Sequence, residues 1–245
     1  VGLTGGGLTT LTGLGSITNN GTITATNPVQ FQVDVPFTNS GSFVKSGGTA
    51  LVEFSNTLDN SGSVTVDAAL MRLSGSGTHT GSFVVNTDLD LPTGSTQNFS
   101  TGSTVSGTGT LSNTGGITTI SGPSGLVSVN MQSGQILNNT AANIDVLNVS
   151  GGIITSNPAL SLNTLNLIGG TFTSNGVTTV SGLTTWNPTN SASTQTFTLN
   201  GTGSLVASGG FDLGSNLHND ILTLDVPLTI GSVSSSWVGL TGGGP

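Results

Sequence analysis

The segment Ile17-Thr-Asn-Asn-Gly-Thr-Ile23 returns as Phe37-Thr-Asn-Ser-Gly-Ser-Phe43 and again as Leu58-Asp-Asn-Ser-Gly-Ser-Val64. One template runs through all three: apolar, polar, Asn, polar, Gly, Ser or Thr, apolar. Their first residues stand 37−17 = 20 and 58−37 = 21 positions apart. A degenerate copy, Thr78-His-Thr-Gly-Ser-Phe83, puts Gly81 at 81−62 = 19 residues after Gly62. Leu111-Ser-Asn-Thr-Gly-Gly-Ile117 and Leu165-Asn-Leu-Ile-Gly-Gly-Thr-Phe172 extend the series, and Ile144 to Leu165 again spans 165−144 = 21.

Working outward from the template, the flanking segments alternate apolar and polar residues with the period of a half-buried strand. Thr22-Ile23-Thr24-Ala25, Phe31-Gln32-Val33-Asp34-Val35, Leu51-Val52-Glu53-Phe54, Ser63-Val64-Thr65-Val66 and Thr196-Phe197-Thr198-Leu199 all read this way. Gly, Ser, Thr and Asn interrupt every longer window, so helix is excluded. Short strands recurring every 20 to 22 residues are the coils of a parallel β-helix, whose rungs share one core. Asn20-Gly21, Asn175-Gly176 and Asn200-Gly201 are also hairpin signals, but hairpins have no reason to recur at a fixed period. The expected architecture is all-β, a single parallel β-solenoid over residues 1–245. Dividing an internal offset of 238−1 = 237 residues by a coil of about 21.5 gives about 11 rungs. In such a coil the apolar positions point inward. Gly21, Gly41 and Gly62 are expected to take the φ > 0 turns, and Asn19, Asn39 and Asn60 to stack as an amide ladder, rung over rung.

Composition excludes several functions. The 245 residues include 2 Lys plus Arg and 10 Asp plus Glu, with net charge −8 and no Cys. Two cations, Lys45 and Arg72, cannot neutralise a row of phosphates, so nucleic-acid binding is excluded, as is polybasic membrane attachment. No apolar run is long enough for a membrane-spanning helix. Disulfides, thiolate chemistry and Cys-based metal sites are absent with the cysteines. Low charge with many β-branched residues is the reverse of a disordered composition. It also suits a stack, where outward residues lie about 4.8 Å from their counterparts and like charges would repel.

The template Ile17-TNNGT-Ile23, Phe37-TNSGS-Phe43, Leu58-DNSGS-Val64 resembles the repeats of autotransporter passenger domains and filamentous-haemagglutinin-like adhesins, large right-handed β-helices exported to bacterial surfaces. The resemblance covers most of the chain and is clearest in 15–120. It implies an extracellular, rod-like, non-enzymatic protein at the cell surface.

Val1-Gly-Leu-Thr-Gly-Gly-Gly7 is identical to Val238-Gly-Leu-Thr-Gly-Gly-Gly244. The heptads mark a tandem repeat of 237 residues, a junction between separate copies, or a shared Gly-rich linker. In the first two readings Val1, Leu3, Val238 and Leu240 belong to an assembly junction, with Trp237 either its anchor or a core residue at the solenoid's end. Open solenoid ends that match head to tail build non-closing filaments.

Chemistry is sparse. Lys45 and Arg72 stand in different rungs and read as solvated surface residues. Asp88 and Asp90 are the close acid pair, about 7 Å apart along a strand, without the Arg, Tyr or His that would shape a sugar site. No Gly-x-Ser-x-Gly, triad or phosphate loop occurs, and His79 and His218 read as surface turn residues. No catalytic or cofactor-binding residue is assigned, and no enzyme activity is expected. Calcium is the one candidate cofactor, with Asp88, Asp90, Asp212 and Asp220 as weak ligands that lack the glycine and bidentate glutamate of a calcium loop. Thr-x-Thr pairs, which on a flat face would suit ice, do not track one rung. Sequons at Asn20, Asn98, Asn138, Asn148 and Asn200 suit surface turns. The expected role is a structural unit of an extracellular filament, stalk or surface fibre, whose partners are identical copies. The alternatives are an adhesin that binds surface glycans and, after it, an ice-binding protein.

Overall fold

The computed structural model describes residues 7–26, 29–187, 194–214 and 220–231. These form 27 strands in one sheet and no helix. Every strand pairing is parallel, so no turn among the described residues closes a hairpin. The chain is a β-solenoid built from three parallel ladders, visited in the same order in every coil.

The first ladder stacks Thr9, Phe31, Val52, Met71, Leu89, Leu111, Val129, Leu147, Leu165, Thr184 and Phe211. The second carries Asn19, Asn39, Asn60, His79, Phe99, Ile120, Asn138, Ser156 and Ser174 in one inward column. The third stacks, facing outward, Thr24, Val44, Thr65, Val84, Ser106, Gly125, Asn143, Ser161, Thr179, Val206 and Thr229. The first and third columns thus run through eleven rungs, or ten steps. From Thr9 to Phe211 is 211−9 = 202 residues, a mean near 20 per step. Individual steps on the first ladder range from 18, as at Leu147 to Leu165, to 27, from Thr184 to Phe211. The 21-residue interval between Ile144 and Leu165 is not a coil: Ile144 stacks on Leu126 in the third ladder and Leu165 on Leu147 in the first.

The turn glycines serve a different purpose from the expected one. Gly21, Gly41 and Gly62 are not among the glycines with positive φ. They are small because successive backbones touch. A Cβ on Gly41 would stand 2.0 Å from the Gly21 carbonyl oxygen, and one on Gly62 2.0 Å from that of Gly41. The contact lets the Ser42 and Ser63 amides donate to those carbonyls, at 2.7 and 2.8 Å.

Inward positions fill the bore with Val, Leu, Ile and Phe. Phe37, Phe43 and Phe54 meet edge to face with centroids 5.2 to 6.0 Å apart, each burying a side chain worth roughly 1.5–3 kcal/mol. Lys45 is a correction to the surface reading. It occupies an inward column between Ala25 and Val66, is fully buried, and donates its ammonium to the Gly47 carbonyl. Burial lowers its pKa below the ordinary lysine value.

Charge sits on particular faces. The outward column of the first ladder runs Gln32, Glu53, Arg72, Asp90, Ser112, so its charges alternate in sign. The outward column of the third ladder carries no charge on any of its eleven rungs.

Candidate functional sites

The asparagine ladder forms as the template implies. Asn19 Nδ2 donates to Asn39 Oδ1 at 2.7 Å, and Asn39 Nδ2 to Asn60 Oδ1 at 2.7 Å. Asn19 and Asn39 also donate to the Ser42 and Ser63 carbonyls, at 2.9 Å each, and the Gly21 amide donates back to Asn19 Oδ1 at 3.1 Å. Asn39 is fully buried, so its own bonds satisfy side-chain groups that water cannot reach.

The same column then changes character at His79, which replaces asparagine and is wholly buried rather than a surface turn residue. Its ring lies 4.7 Å from both Phe83 and Phe99. Gln97 Nε2 donates to the Gly75 carbonyl at 2.8 Å, which turns Gln97 Oε1 toward His79 Nε2, 2.9 Å away. Nε2 therefore carries the proton, and Nδ1 has no hydrogen-bond partner. Burial pushes the His79 pKa down to about 4, against smaller opposing pulls from the Gln97 hydrogen bond and the Asp59 charge. The degenerate template had placed this histidine at the asparagine position; its burial follows from taking that alignment literally.

Arg72 is a partner rather than a free surface charge. Its Nε donates to Asp90 Oδ2 at 2.8 Å, while Thr114 Oγ1 donates to Asp90 Oδ1 at 2.6 Å. Asp90, 5% exposed, is thus engaged on both oxygens, whereas Asp88, its neighbour in the acid pair, is exposed. Asp212 stacks on Thr185, and Asp220 accepts the Gln195 amide at 2.6 Å. The four calcium candidates are not brought together. Among the described residues no group of three or more His, Asp or Glu could hold a metal ion.

Two further amide ladders escaped the template. Asn166 donates to Asn148 and Asn148 to Asn130, each at 2.7 Å. At another corner Asn175 donates to Asn157 at 2.8 Å and Asn157 to Asn139 at 2.7 Å. Both have spacings of 18 residues, a strict period that was readable and differs from the 20 to 21 of the N-terminal coils.

The third face opens into a hollow of about 430 Å³ around Gly125, Asn143, Asp145 and Ser161, with Leu126, Ile144 and Leu162 also lining it. A Cβ on Gly125 would meet nothing within 4 Å, so the hollow is open at that position. A bore cavity of about 30 Å³ lies by Ser124, Asn138 and Ser156, room for about one water. Trp186 is a core residue, 5% exposed. Val1, Leu3, Trp237, Val238, Leu240 and His218 lie outside the described residues. Of the sequons, Asn20 and Asn98 are exposed, while Asn138 is buried. No family model, no curated protein and no solved structure matches this chain.

Proposed function

We propose that this chain is a structural unit of an extracellular filament, stalk or surface fibre that continues end to end with identical units. One observation carries the reading. The inward residues of the first and last rungs, Leu11 and Leu224, are exposed (36% and 41%), while Val33 and Leu199, their column neighbours one rung inward, are fully buried. Among the described residues nothing covers the bore beyond these leucines, and another rung laid on either end would bury them and pair the strand edges. The identical heptads at 1–7 and 238–244 support the same continuation, within one polypeptide or between separate copies. Among the described residues, His79 and Lys45 are enclosed in the bore, and the ion-paired Asp90 is held by Arg72 and Thr114.

The test is negative-stain microscopy of purified protein at rising concentration. Filaments with an axial repeat of about 50 Å, ten to eleven steps of about 4.8 Å, are expected. Isolated rods at millimolar concentration would overturn the end-to-end reading.

A further inference from the structure

We propose that Asn20 is a site of spontaneous covalent modification, where the exposed side chain cyclises onto the Gly21 amide and ends as aspartate or isoaspartate, while the other two Asn-Gly pairs stay intact. The co-reactant is water, and the site is independent of end-to-end growth.

The step needs no enzyme. The Gly21 main-chain nitrogen attacks Asn20 Cγ; a new N–Cγ bond closes a succinimide ring, the Cγ–Nδ2 bond breaks, and ammonia leaves with the proton that Gly21 gave up. Water then opens the ring, its hydroxyl going to one of the two ring carbonyl carbons and its other proton to the nitrogen. Opening at Cγ leaves an aspartate; opening at the main-chain carbonyl leaves isoaspartate, in which the chain runs through Cβ and Cγ. Nothing is oxidised or reduced. A following glycine favours the attack, because it has no Cβ to obstruct the approach and its backbone bends freely.

Three pairs carry the motif, Asn20-Gly21, Asn175-Gly176 and Asn200-Gly201, and the fold separates them. Asn175 is held at both ends of its amide: Nδ2 donates to Asn157 Oδ1 at 2.8 Å, and Oδ1 accepts the Thr202 amide at 3.3 Å. Asn200 Oδ1 accepts Thr173 Oγ1 at 2.6 Å. Their glycines are wedged against the preceding rung, since a Cβ on Gly176 would stand 2.4 Å from the Pro158 carbonyl carbon and one on Gly201 2.2 Å from the Ser174 carbonyl oxygen. Both pairs are half-buried, whereas Asn20 and Gly21 are exposed. The Asn20 side chain has no hydrogen-bond partner among the described residues, and a Cβ on Gly21 would meet nothing within 4 Å.

Rung one also opens at less cost. Among the described residues, Ile17–Asn19 pairs on one side alone, with Phe37–Asn39, and the Gly21 amide has a single bond to give up, to Asn19 Oδ1 at 3.1 Å. The strands beside Asn175 and Asn200 are paired on both sides, so reaction there first requires parting two rungs. Modification has a structural consequence. Isoaspartate adds a carbon to the main chain beside Gly21, whose carbonyl accepts the Ser42 amide at 2.7 Å, so rung one should loosen from rung two at this turn.

The test uses the full chain as single rods, made without glycosylation because Asn20 also begins a sequon. It is aged in mildly alkaline buffer below its melting temperature, then digested with pepsin in acid and mapped by mass spectrometry. Exchange of ammonia for water should accumulate at Asn20 at least about tenfold faster than at Asn175 or Asn200, with isoaspartyl methyltransferase labelling the product. In urea the three sites should react at similar rates. Gly21→Ala should keep the wild-type melting temperature and slow modification at Asn20 about tenfold. Ser42 amide exchange should quicken in aged wild type and not in aged Gly21→Ala. Equal native rates at the three sites, no reaction at Asn20, or a Gly21→Ala chain modified as fast as wild type overturns the proposal, and unchanged Ser42 exchange in modified rods overturns the loosening. Rods that are modified at Asn20 yet never join would sink the end-to-end reading alone.

Discussion

A single ring nitrogen makes this rod acid-sensitive. Folded His79 titrates near 4 against an ordinary 6.5, so between those values the unfolded chain takes a proton that the folded chain refuses. Stability from this group is complete above about pH 6.5 and falls as the pH drops toward 4. The full difference is about 3 kcal/mol, from a shift of about 2.5 units at 1.36 kcal/mol each. The physical cause is visible: a proton on Nδ1 would point at no acceptor, between Phe83 and Phe99. His79→Asn offers the column another amide in place of the ring. Urea midpoints measured from pH 7 to 4 should show a steeper loss in wild type than in this variant, by about that amount; parallel profiles would refute the assignment. Asn39→Ala removes the central amide, leaving Asn19 without its acceptor and Asn60 without its donor. A loss of roughly 2–4 kcal/mol is expected in equilibrium unfolding, since each orphaned buried group costs about 1–3. Lys45→Met replaces a buried cation with an apolar chain of similar length and should leave stability unchanged or raise it by about 1 kcal/mol.

At the scale of a coil, the stacked glycines make a sharper contrast. Gly62→Ala forces a methyl group to 2.0 Å from the Gly41 carbonyl, so the rung must shift and about 2–3 kcal/mol should be lost. Gly21→Ala meets nothing within 4 Å and should stay within about 0.5 kcal/mol of wild type. Equal thermal shifts in the two variants would show that turn conformation, not contact, sets these positions. The distinction marks what was legible beforehand. Asn19, Asn39, Asn60 and their glycines announced the coil, because a column of identical residues leaves a period in the chain, and the strands Thr22–Ala25 and Ser63–Val66 followed to the residue. The reason for the glycines was hidden, since a clash between residues 21 apart leaves no local trace. Leu111-Ser-Asn113-Thr-Gly115 matched the template yet begins within the first ladder and turns out of it, rather than lying in the second. Its Asn113 Oδ1 accepts the Gly115 amide at 3.2 Å, much as Asn19 accepts that of Gly21, so a shared local turn imitated a shared place in the coil. Lys45 was misread because charge alone suggests solvent, and only the register shows it facing the bore; Arg72 does lie on the outward column, where the register sets it beside Asp90.

Over the whole rod, each rung touches only its neighbours, so stability is close to a sum of rung and interface terms. Damage at one rung should fray the nearer end first. Amide exchange in Asn39→Ala should therefore quicken around residues 17–45 and stay near wild type around 160–180; uniform quickening would indicate a single cooperative block instead. The native rod should also resist subtilisin, its backbone being held in ladders throughout the described coils. The asparagine columns carry a last consequence, electrical rather than steric. In the bore, amide hydrogens point toward the C-terminal end, from Asn19 to Asn39 to Asn60, a direction set by the Gly21 amide on Asn19 Oδ1. At the corner they point the opposite way, from Asn175 to Asn157 to Asn139, with the Thr202 amide on Asn175 Oδ1 at the far end. Aligned amides polarise one another along a chain, so each column is a small dipole, and the third column, from Asn166 to Asn148 to Asn130, points the same way as the corner one. Two of the three columns therefore share a direction, and a fibre of such units joined head to tail would accumulate side-chain polarity from them as it lengthens.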